Sequence, residues 1–240
     1  MNHTAPPGWR WVVLHETAST QDVVLEAARA GDPGRFAVRA ITQSKGRGRG
    51  GREWVAPAGN LNLSLLLLPD FAPPMPGRYS LLAGIAVIEA LVELAPALRA
   101  QLMLKWPNDL MRNGAKAGGI LIDSALDGAG NFAFVVIGIG VNLRHAPPIA
   151  DRLTADLVEY AIDADALSAR ILAKIDQYEA AEFAVTRQTW LGYAHPLGTE
   201  LLVRQAGGDL RGRFAGLSAN GELLLEGHVH PIASAEISLI

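Results

Sequence analysis

A segment rich in arginine and glycine, residues 45–52, restricts most strongly what this chain can fold into. Its eight positions hold four cations and four glycines, so its side chains cannot build a core. It nevertheless follows directly on the apolar run 36–41, which predicts a buried strand. Glycine lets backbone N–H groups turn toward an anion, and arginine binds phosphate or carboxylate through paired hydrogen bonds. The segment therefore predicts a loop that a core strand brings to a small anionic ligand.

The same segment has three other interpretations. Gly46, Gly48 and Gly51 match the spacing of a dinucleotide-binding fingerprint, but the run 54–57 contains a proline where that fingerprint requires a helix. The second is an arginine- and glycine-rich segment that binds nucleic acid, against which stands the formal net charge of −3 for the whole chain. The third is a solvated surface loop without a ligand.

The composition limits the class of protein. With 240 residues, 50% of them hydrophobic, the chain can bury the core of one large domain and a small one. It has no cysteine, which excludes disulfides, thiolate metal sites and a cysteine nucleophile. Residues 1–10 show no secretory signal, and the longest apolar run, 65–68, is too short to span a bilayer. We expect a soluble cytoplasmic protein without a membrane or nucleic-acid partner.

Hydrophobic periodicity predicts an α+β fold, with a mixed β-sheet and packed helices in residues 1–190. Strands are predicted at 11–15, 36–43, 60–68, 102–107, 109–112, 115–122 and 132–143, and helices at 20–30, 79–94 and 164–183. Asn113-Gly114 predicts a hairpin turn. In residues 191–240, short strands are predicted at 201–203, 210–214, 223–225 and 237–240. Their regular turns predict a small C-terminal all-β barrel.

Four further segments carry polar groups beside predicted strands or helix ends. In 105–109 a lysine ends a buried strand, where its charge is costly unless it is used, and Pro-Asn-Asp follows. The segments 116–121 and 138–143 combine a lysine or an asparagine with two glycines that let a ligand or another strand approach closely. In 19–21 the hydroxyls of Ser and Thr either cap a helix or hydrogen-bond a ligand. Ordinary turns, strand packing and helix capping remain alternatives for these segments.

Taken in this order, the segments 19–21, 43–52, 105–109, 116–121 and 138–143 resemble the biotin protein ligase family. The chain is most similar to its monofunctional members, which lack the N-terminal DNA-binding domain of larger relatives. The resemblance implies a catalytic domain for biotin and ATP at 1–190, followed by the small barrel at 191–240.

The resemblance also implies roles for individual residues. Those implied to bind biotin are Ser19, Thr20, Gln21, Gln43, Arg47, Gly48, Arg49 and Lys116. Those implied to bind the nucleotide are Arg49, Arg52, Trp54, Asn108, Asp109, Lys116 and Asn142. The catalytic groups are expected to be Lys116, Arg49 and Arg47, while metal ligands cannot be assigned.

The implied reaction has two steps. Biotin and ATP form biotinyl-5′-AMP and pyrophosphate, with Mg²⁺ expected, and a lysine of a biotin carboxyl carrier protein then takes the biotin. Since a lysine of pKa ~10.4 is almost entirely charged at neutral pH, a local base or nearby cations must assist, and Asp109 is a candidate base. A lipoate-type protein ligase of the same fold and a nucleic-acid-binding module remain the alternatives. Relatives are both monomeric and dimeric, so a homodimer stays open.

Overall fold

The computed structural model describes residues 6–70, 75–150, 152–205 and 208–239. In chain order its elements are β1 (Arg10–Thr17), α1 (Thr20–Arg29), β2 (Phe36–Gln43), β3 (Leu61–Leu67), α2 (Pro76–Leu94), β4 (Leu102–Lys105), β5 (Asp109–Arg112), β6 (Ala115–Leu126), β7 (Phe132–Val141), α3 (Ala164–Glu179), α4 (Phe183–Leu191), β8 (Glu200–Gln205), β9 (Gly208–Leu217), β10 (Leu223–Leu225) and β11 (Glu236–Leu239). Short 3₁₀ helices lie at Arg49–Gly51, Pro96–Ala100 and Val158–Tyr160.

Seven strands form one mixed sheet in the order β1-β2-β3-β7-β6-β5-β4. Strands β1 and β2 are parallel, and the other neighbours are antiparallel. The central strand β3 is buried at every position, because α2 and α3 cover one face of the sheet and α1 covers the other. Leu63 and Leu65 belong to the large core under α2, while Leu66 packs with Val24 of α1. The sheet thus has a helix layer on each side, as a strand buried on both faces requires.

The predicted α+β class is confirmed. The hairpin at Asn113-Gly114 is also confirmed, since both turn residues have the positive φ angles, 48° and 82°, that such a turn needs. The predicted C-terminal strands form a separate antiparallel sheet in the order β10-β9-β8-β11, and closure of that sheet into a barrel stays a prediction. Ile240, the last position of the final predicted strand, lies outside the described residues.

One helix boundary was predicted wrongly. The helix expected at 164–183 ends at Glu179, and a second helix, α4, begins at Phe183. Glu182 leaves the helical region of backbone conformation, with ψ at 139°, and starts the new helix. No glycine or proline marks this break in the sequence, so the periodic pattern runs on across it. Within the described parts of the chain, none of the helices has the length and apolar character that a membrane crossing requires.

Candidate functional site

A cavity of about 340 Å³ lies over the large sheet, between the N-terminus of α1, strands β2, β3, β6 and β7, and the arginine–glycine loop. All but one of the predicted site residues line it: Ser19, Thr20, Gln21, Gln43, Arg47, Gly48, Arg49, Arg52, Trp54, Asn108, Lys116 and Asn142. The fold therefore brings segments from five parts of the sequence to one place. The exception is Asp109, which is buried behind Lys116.

One end of the cavity, called the uncharged end below, is lined mainly by uncharged hydrogen-bonding side chains, with the Arg47–Asp123 ion pair beside Gln21. At the start of α1 the backbone N–H of Thr20 has no partner within the helix, and it donates to Gln43 Oε1 at 2.7 Å. Thr20 Oγ1 lies 3.0 Å from the same oxygen and 2.9 Å from Ser64 Oγ. Ser64 Oγ lies 3.0 Å from Gln21 Oε1, and Gln43 Nε2 reaches Asn62 Oδ1 at 3.5 Å. These contacts hold the side chains in one arrangement before any ligand is bound.

Ser19 contributes a free hydroxyl to this end. It precedes α1 in the position of a helix cap, yet its side chain makes no capping hydrogen bond. Ser19 is 1% exposed, and its Oγ has no hydrogen-bond partner among the residues that the structure describes. A buried hydroxyl without a partner costs about 1–3 kcal/mol, which a hydrogen bond to a ligand would recover. The geometry thus favours ligand binding over capping for Ser19.

Two glycines of β7 let the side chains of Trp54 and Gln21 pack close to the strand. A Cβ atom at position 140 would lie 2.4 Å from the Trp54 indole, and one at position 138 would lie 2.6 Å from Gln21 Oε1. Any larger residue would therefore displace Trp54 or Gln21. The glycines of segment 138–143 thus shape the cavity, in addition to packing the strands.

The other end of the cavity is cationic, and Asp109 lies beneath it, paired with two lysines. Asp109 is 7% exposed, lies 3.1 Å from Lys105 Nζ, and forms an ion pair with Lys116. Burial alone would raise the pKa of the Asp109 carboxyl, but the charges and hydrogen bonds of Lys116 and Lys105 outweigh it and hold this pKa below its ordinary value. Burial lowers the pKa of Lys116, against the opposing pull of Asp109. Asp109 therefore fixes Lys116 at the cavity wall.

The arginines of the loop line the cavity and are paired with other side chains. Arg49 Nη1 donates to Asn108 Oδ1 at 3.3 Å, and its Nη2 donates to Ser234 Oγ at 3.1 Å. Arg52 lies 2.9 Å from Glu236 Oε1 of β11. The loop itself is closed by backbone bonds, such as Gly48 N–H to Arg52 O at 2.7 Å. The loop is thus anchored to the C-terminal sheet as well as to the large one.

Comparison with known proteins identifies the fold and family. The model of the biotin/lipoate A/B protein ligase family matches residues 15–142. The chain belongs to this family. It is 37% identical to the biotin–[acetyl-CoA-carboxylase] ligase of Paracoccus denitrificans, over 90% of this chain and 93% of that one. It is 32% identical to the bifunctional ligase/repressor BirA of Bacillus subtilis, over 95% of this chain and 74% of that one. The solved biotin protein ligase of Aquifex aeolicus, in complex with biotin and ATP, superposes with a TM-score of 0.79 at 28% identity and covers 96% of this chain and 98% of that one.

Within this family's fold, the structure adds site residues that sequence reasoning missed. Asn62 and Ser64 line the cavity from β3, and a polar residue in an otherwise apolar strand is the signal that could have found them. Arg152 also lines the cavity, lies 3.9 Å from Asp109, and pairs with Glu236. Arg152 and Glu236 lie in segments without any local motif, and only the fold brings them to the site.

Two predicted residues have surroundings that differ from the expectation for this ligase family. Asp109 was expected at the nucleotide and as a candidate base, but it lies outside the cavity wall, and a carboxylate held by cations is a weak base. Asn142 lines the cavity, yet its Nδ2 donates to Ala155 O at 3.1 Å. Asn142 therefore also holds the chain that follows β7 in place.

Proposed function

We propose that this chain is a biotin protein ligase. It joins the carboxylate of biotin to AMP from ATP, releases pyrophosphate, and passes biotin to a lysine of a biotin carboxyl carrier protein. The observation that carries this proposal is the division of one cavity into an uncharged hydrogen-bonding end and a cationic end. Biotin has the matching halves, a cyclic urea at one end and a carboxylate at the other.

The uncharged end supports biotin over a lipoate-type substrate. The urea of biotin offers one carbonyl oxygen and two N–H groups, whereas the dithiolane of lipoate and the alkyl chain of octanoate offer no comparable groups. A site built to hydrogen-bond its substrate rejects an analogue that leaves its buried polar groups unpaired. Ser19, Thr20 and Gln43 are such groups, since all three line the cavity and the first two are almost fully buried.

The cationic end supports adenylation. A carboxylate oxygen of biotin must attack the α-phosphorus of ATP while the bond to pyrophosphate breaks, so two anions are forced together. Lys116, Arg49 and Arg152 surround this end and would stabilise the charge that gathers on the phosphate oxygens. In the second step the carrier lysine attacks the carbonyl carbon, AMP leaves with the electron pair of the broken C–O bond, and the amine loses a proton.

Magnesium enters this scheme only with the nucleotide. Among the described residues no group of three or more histidine, aspartate or glutamate side chains is placed to hold a metal. Mg²⁺ is commonly held by substrate phosphates and few protein groups, and it would neutralise phosphate charge when bound with ATP. No step assigned to the side chains above depends on it.

The loop geometry also weighs against the nucleic-acid alternative. Arg47, Arg49 and Arg52 all line the cavity and are paired with neighbouring side chains of this chain. A segment that tracks a phosphate backbone would keep its cations unpaired and available to the phosphates. We further propose that residues 1–190 bind both substrates and that the C-terminal sheet contributes the segment 234–236 to the wall of the site.

Biotin-dependent exchange between ATP and labelled pyrophosphate tests the proposal. The purified chain should catalyse exchange with biotin and show none above background with lipoate or octanoate. Exchange with lipoate alone would keep the reaction class and overturn the substrate. If no acid supports exchange, the chain is not an adenylating ligase, and its retention on nucleic acid as a function of salt becomes the next measurement.

A further inference from the structure

A row of hydrogen-bonding side chains connects Gln43 to Asp123 along the uncharged end of the cavity, and the role that we assign to it rests on the proposed function. In order, Gln43 Oε1, Thr20 Oγ1, Ser64 Oγ and Gln21 Oε1 form three successive oxygen–oxygen contacts of 3.0, 2.9 and 3.0 Å. Each contact needs one hydrogen to be a hydrogen bond. Only the hydroxyls of Thr20 and Ser64 can supply hydrogens, and each carries one. Three contacts therefore share two hydrogens.

Both ends of this row are fixed as acceptors. Gln43 must turn its oxygen toward α1, because the backbone N–H of Thr20 donates to that oxygen at 2.7 Å. At the other end, Gln21 Nε2 faces Asp123 Oδ2 at 3.1 Å and the backbone oxygen of Val136 at 3.3 Å. A carboxylate and a carbonyl can only accept, so the amide nitrogen of Gln21 must face them and its oxygen must face Ser64.

The opposite orientation of Gln21 would complete the row. With its nitrogen toward Ser64, Gln21 would donate to Ser64, Ser64 to Thr20, and Thr20 to Gln43, so that every contact held a hydrogen. That orientation would place the oxygen of Gln21 against the carboxylate of Asp123. Asp123 and Val136 are register partners in β6 and β7, so the strand pairing keeps both acceptors at this point.

We propose that Asp123 is a positioning residue that makes the uncharged end of the cavity demand an N–H donor from its ligand. By holding the Gln21 amide in the orientation that leaves the row one hydrogen short, Asp123 leaves an excess of oxygen lone pairs around Thr20 and Gln43. A ligand N–H offsets that excess, and a ligand oxygen or methylene in the same place cannot. The ligand class is a cyclic urea or another ring with N–H groups on its edge.

The test compares biotin with its two cyclic carbamate analogues, in each of which an oxygen replaces one ureido N–H. Dissociation constants are measured by calorimetry for the wild type, D123A and D22A. The wild type should bind biotin at least about tenfold more tightly than the weaker-binding carbamate, since an unmatched buried acceptor costs ~1–3 kcal/mol. In D123A only the Val136 backbone oxygen, 3.3 Å from Gln21 Nε2, still favours the present orientation of the Gln21 amide, so the ratio should fall to about threefold or less.

D22A is the matched control. Arg47 lies 2.9 Å from Asp22 and 3.2 Å from Asp123, so either substitution removes a partner of Arg47, but only D123A removes the acceptor of Gln21. D22A should therefore keep the wild-type ratio. D123V, which suits a strand and also lacks an acceptor, replaces D123A where thermal melting shows that D123A does not fold.

The possible outcomes separate this inference from the proposed function. An equal loss of affinity for biotin and carbamate in D123A would mean that Asp123 only stabilises the site, and would overturn the inference while biotin binding stands. A reduced ratio in D22A as well would assign the effect to Arg47 and overturn it too. Failure of the wild type to bind biotin would overturn the proposed function, and the inference with it.

Discussion

His195 should make the stability of this protein depend on pH between 4 and 6.5. It lies between α4 and β8, where the two predicted domains meet, and it is 3% exposed. Its ring packs edge-on against Phe214 at 4.3 Å between centroids. Burial lowers the pKa of His195 to about 4; a backbone hydrogen bond at Pro196 opposes this effect, and the nearby charge of Lys105 adds to it. The imidazole is therefore held neutral in the folded chain.

The sign and size of the effect follow from the two pKa values. The unfolded chain binds a proton at His195 below pH ~6.5, whereas the folded chain does so only below about 4. Protons therefore favour the unfolded chain, and stability is lost as the pH falls through this window. Between pH 8 and pH 5 the linkage relation gives a loss of about 2 kcal/mol from this one residue. For a chain of this length that corresponds to a fall in Tm of about 4–8 °C.

The assay is thermal melting of wild type and H195Q at pH 8, 6.5 and 5. Glutamine cannot be charged, so the variant should lack the contribution of His195 while sharing all other titrating groups. The difference in Tm between the two proteins should change by about 4–8 °C across this range, with the variant losing less on acidification. Parallel curves for the two proteins would refute the reasoning, since they would mean that His195 titrates equally in both states.

Three further substitutions test the site. If the arginine–glycine loop encloses the adenylate, R49G should release it and raise biotin labelling of a bystander protein, read on an avidin blot; no rise over wild type would argue against that role of the loop. D109N leaves its lysine partners buried without a counter-charge and should cost about 3 kcal/mol or more of unfolding free energy in urea, so a loss under about 1 kcal/mol would contradict the ion-pair account. G140A forces Trp54 to move and should weaken ATP binding by about 1–3 kcal/mol, whereas G128A, where a Cβ meets open space, should bind ATP as wild type does.

Much of the fold could be predicted because local signals agreed with the tertiary structure. The strand predicted at 60–68 is found as β3, and Asn113-Gly114 predicted a turn that needs positive φ. The break between α3 and α4 could not be predicted, because Ala180 and Ala181 are good helix formers and carry no stop signal. Propensity alone therefore fails where packing decides the boundary.

For the site, sequence reasoning found residues in recognisable segments and missed those that depend on pairing between distant strands. Gln21 and Gln43 could be found beside a helix start and a loop. Asp123 reaches Gln21 across 102 positions of the chain, and its register with Val136 exists only in the folded sheet. Asp109 stands in a recognisable segment, but its burial behind Lys116 changes what its carboxylate can do. Local sequence patterns located some of these groups, but only the folded structure shows which partners their side chains face.

The pairing of the loop arginines joins the two predicted domains into one site. Arg49 and Arg52 contact the segment 234–236, and Glu236 lies between Arg52 and Arg152. A polyphosphate entering the cationic end competes with these partners, so part of its binding energy is spent on separating ion pairs that already exist. The Arg52–Glu236 pair is solvent-exposed, and such pairs are worth about 0–1 kcal/mol, so we expect the multiply charged ligand to displace it. The C-terminal sheet can thus position the arginines before the nucleotide binds, while its ion pairs remain weak enough for the nucleotide to replace them.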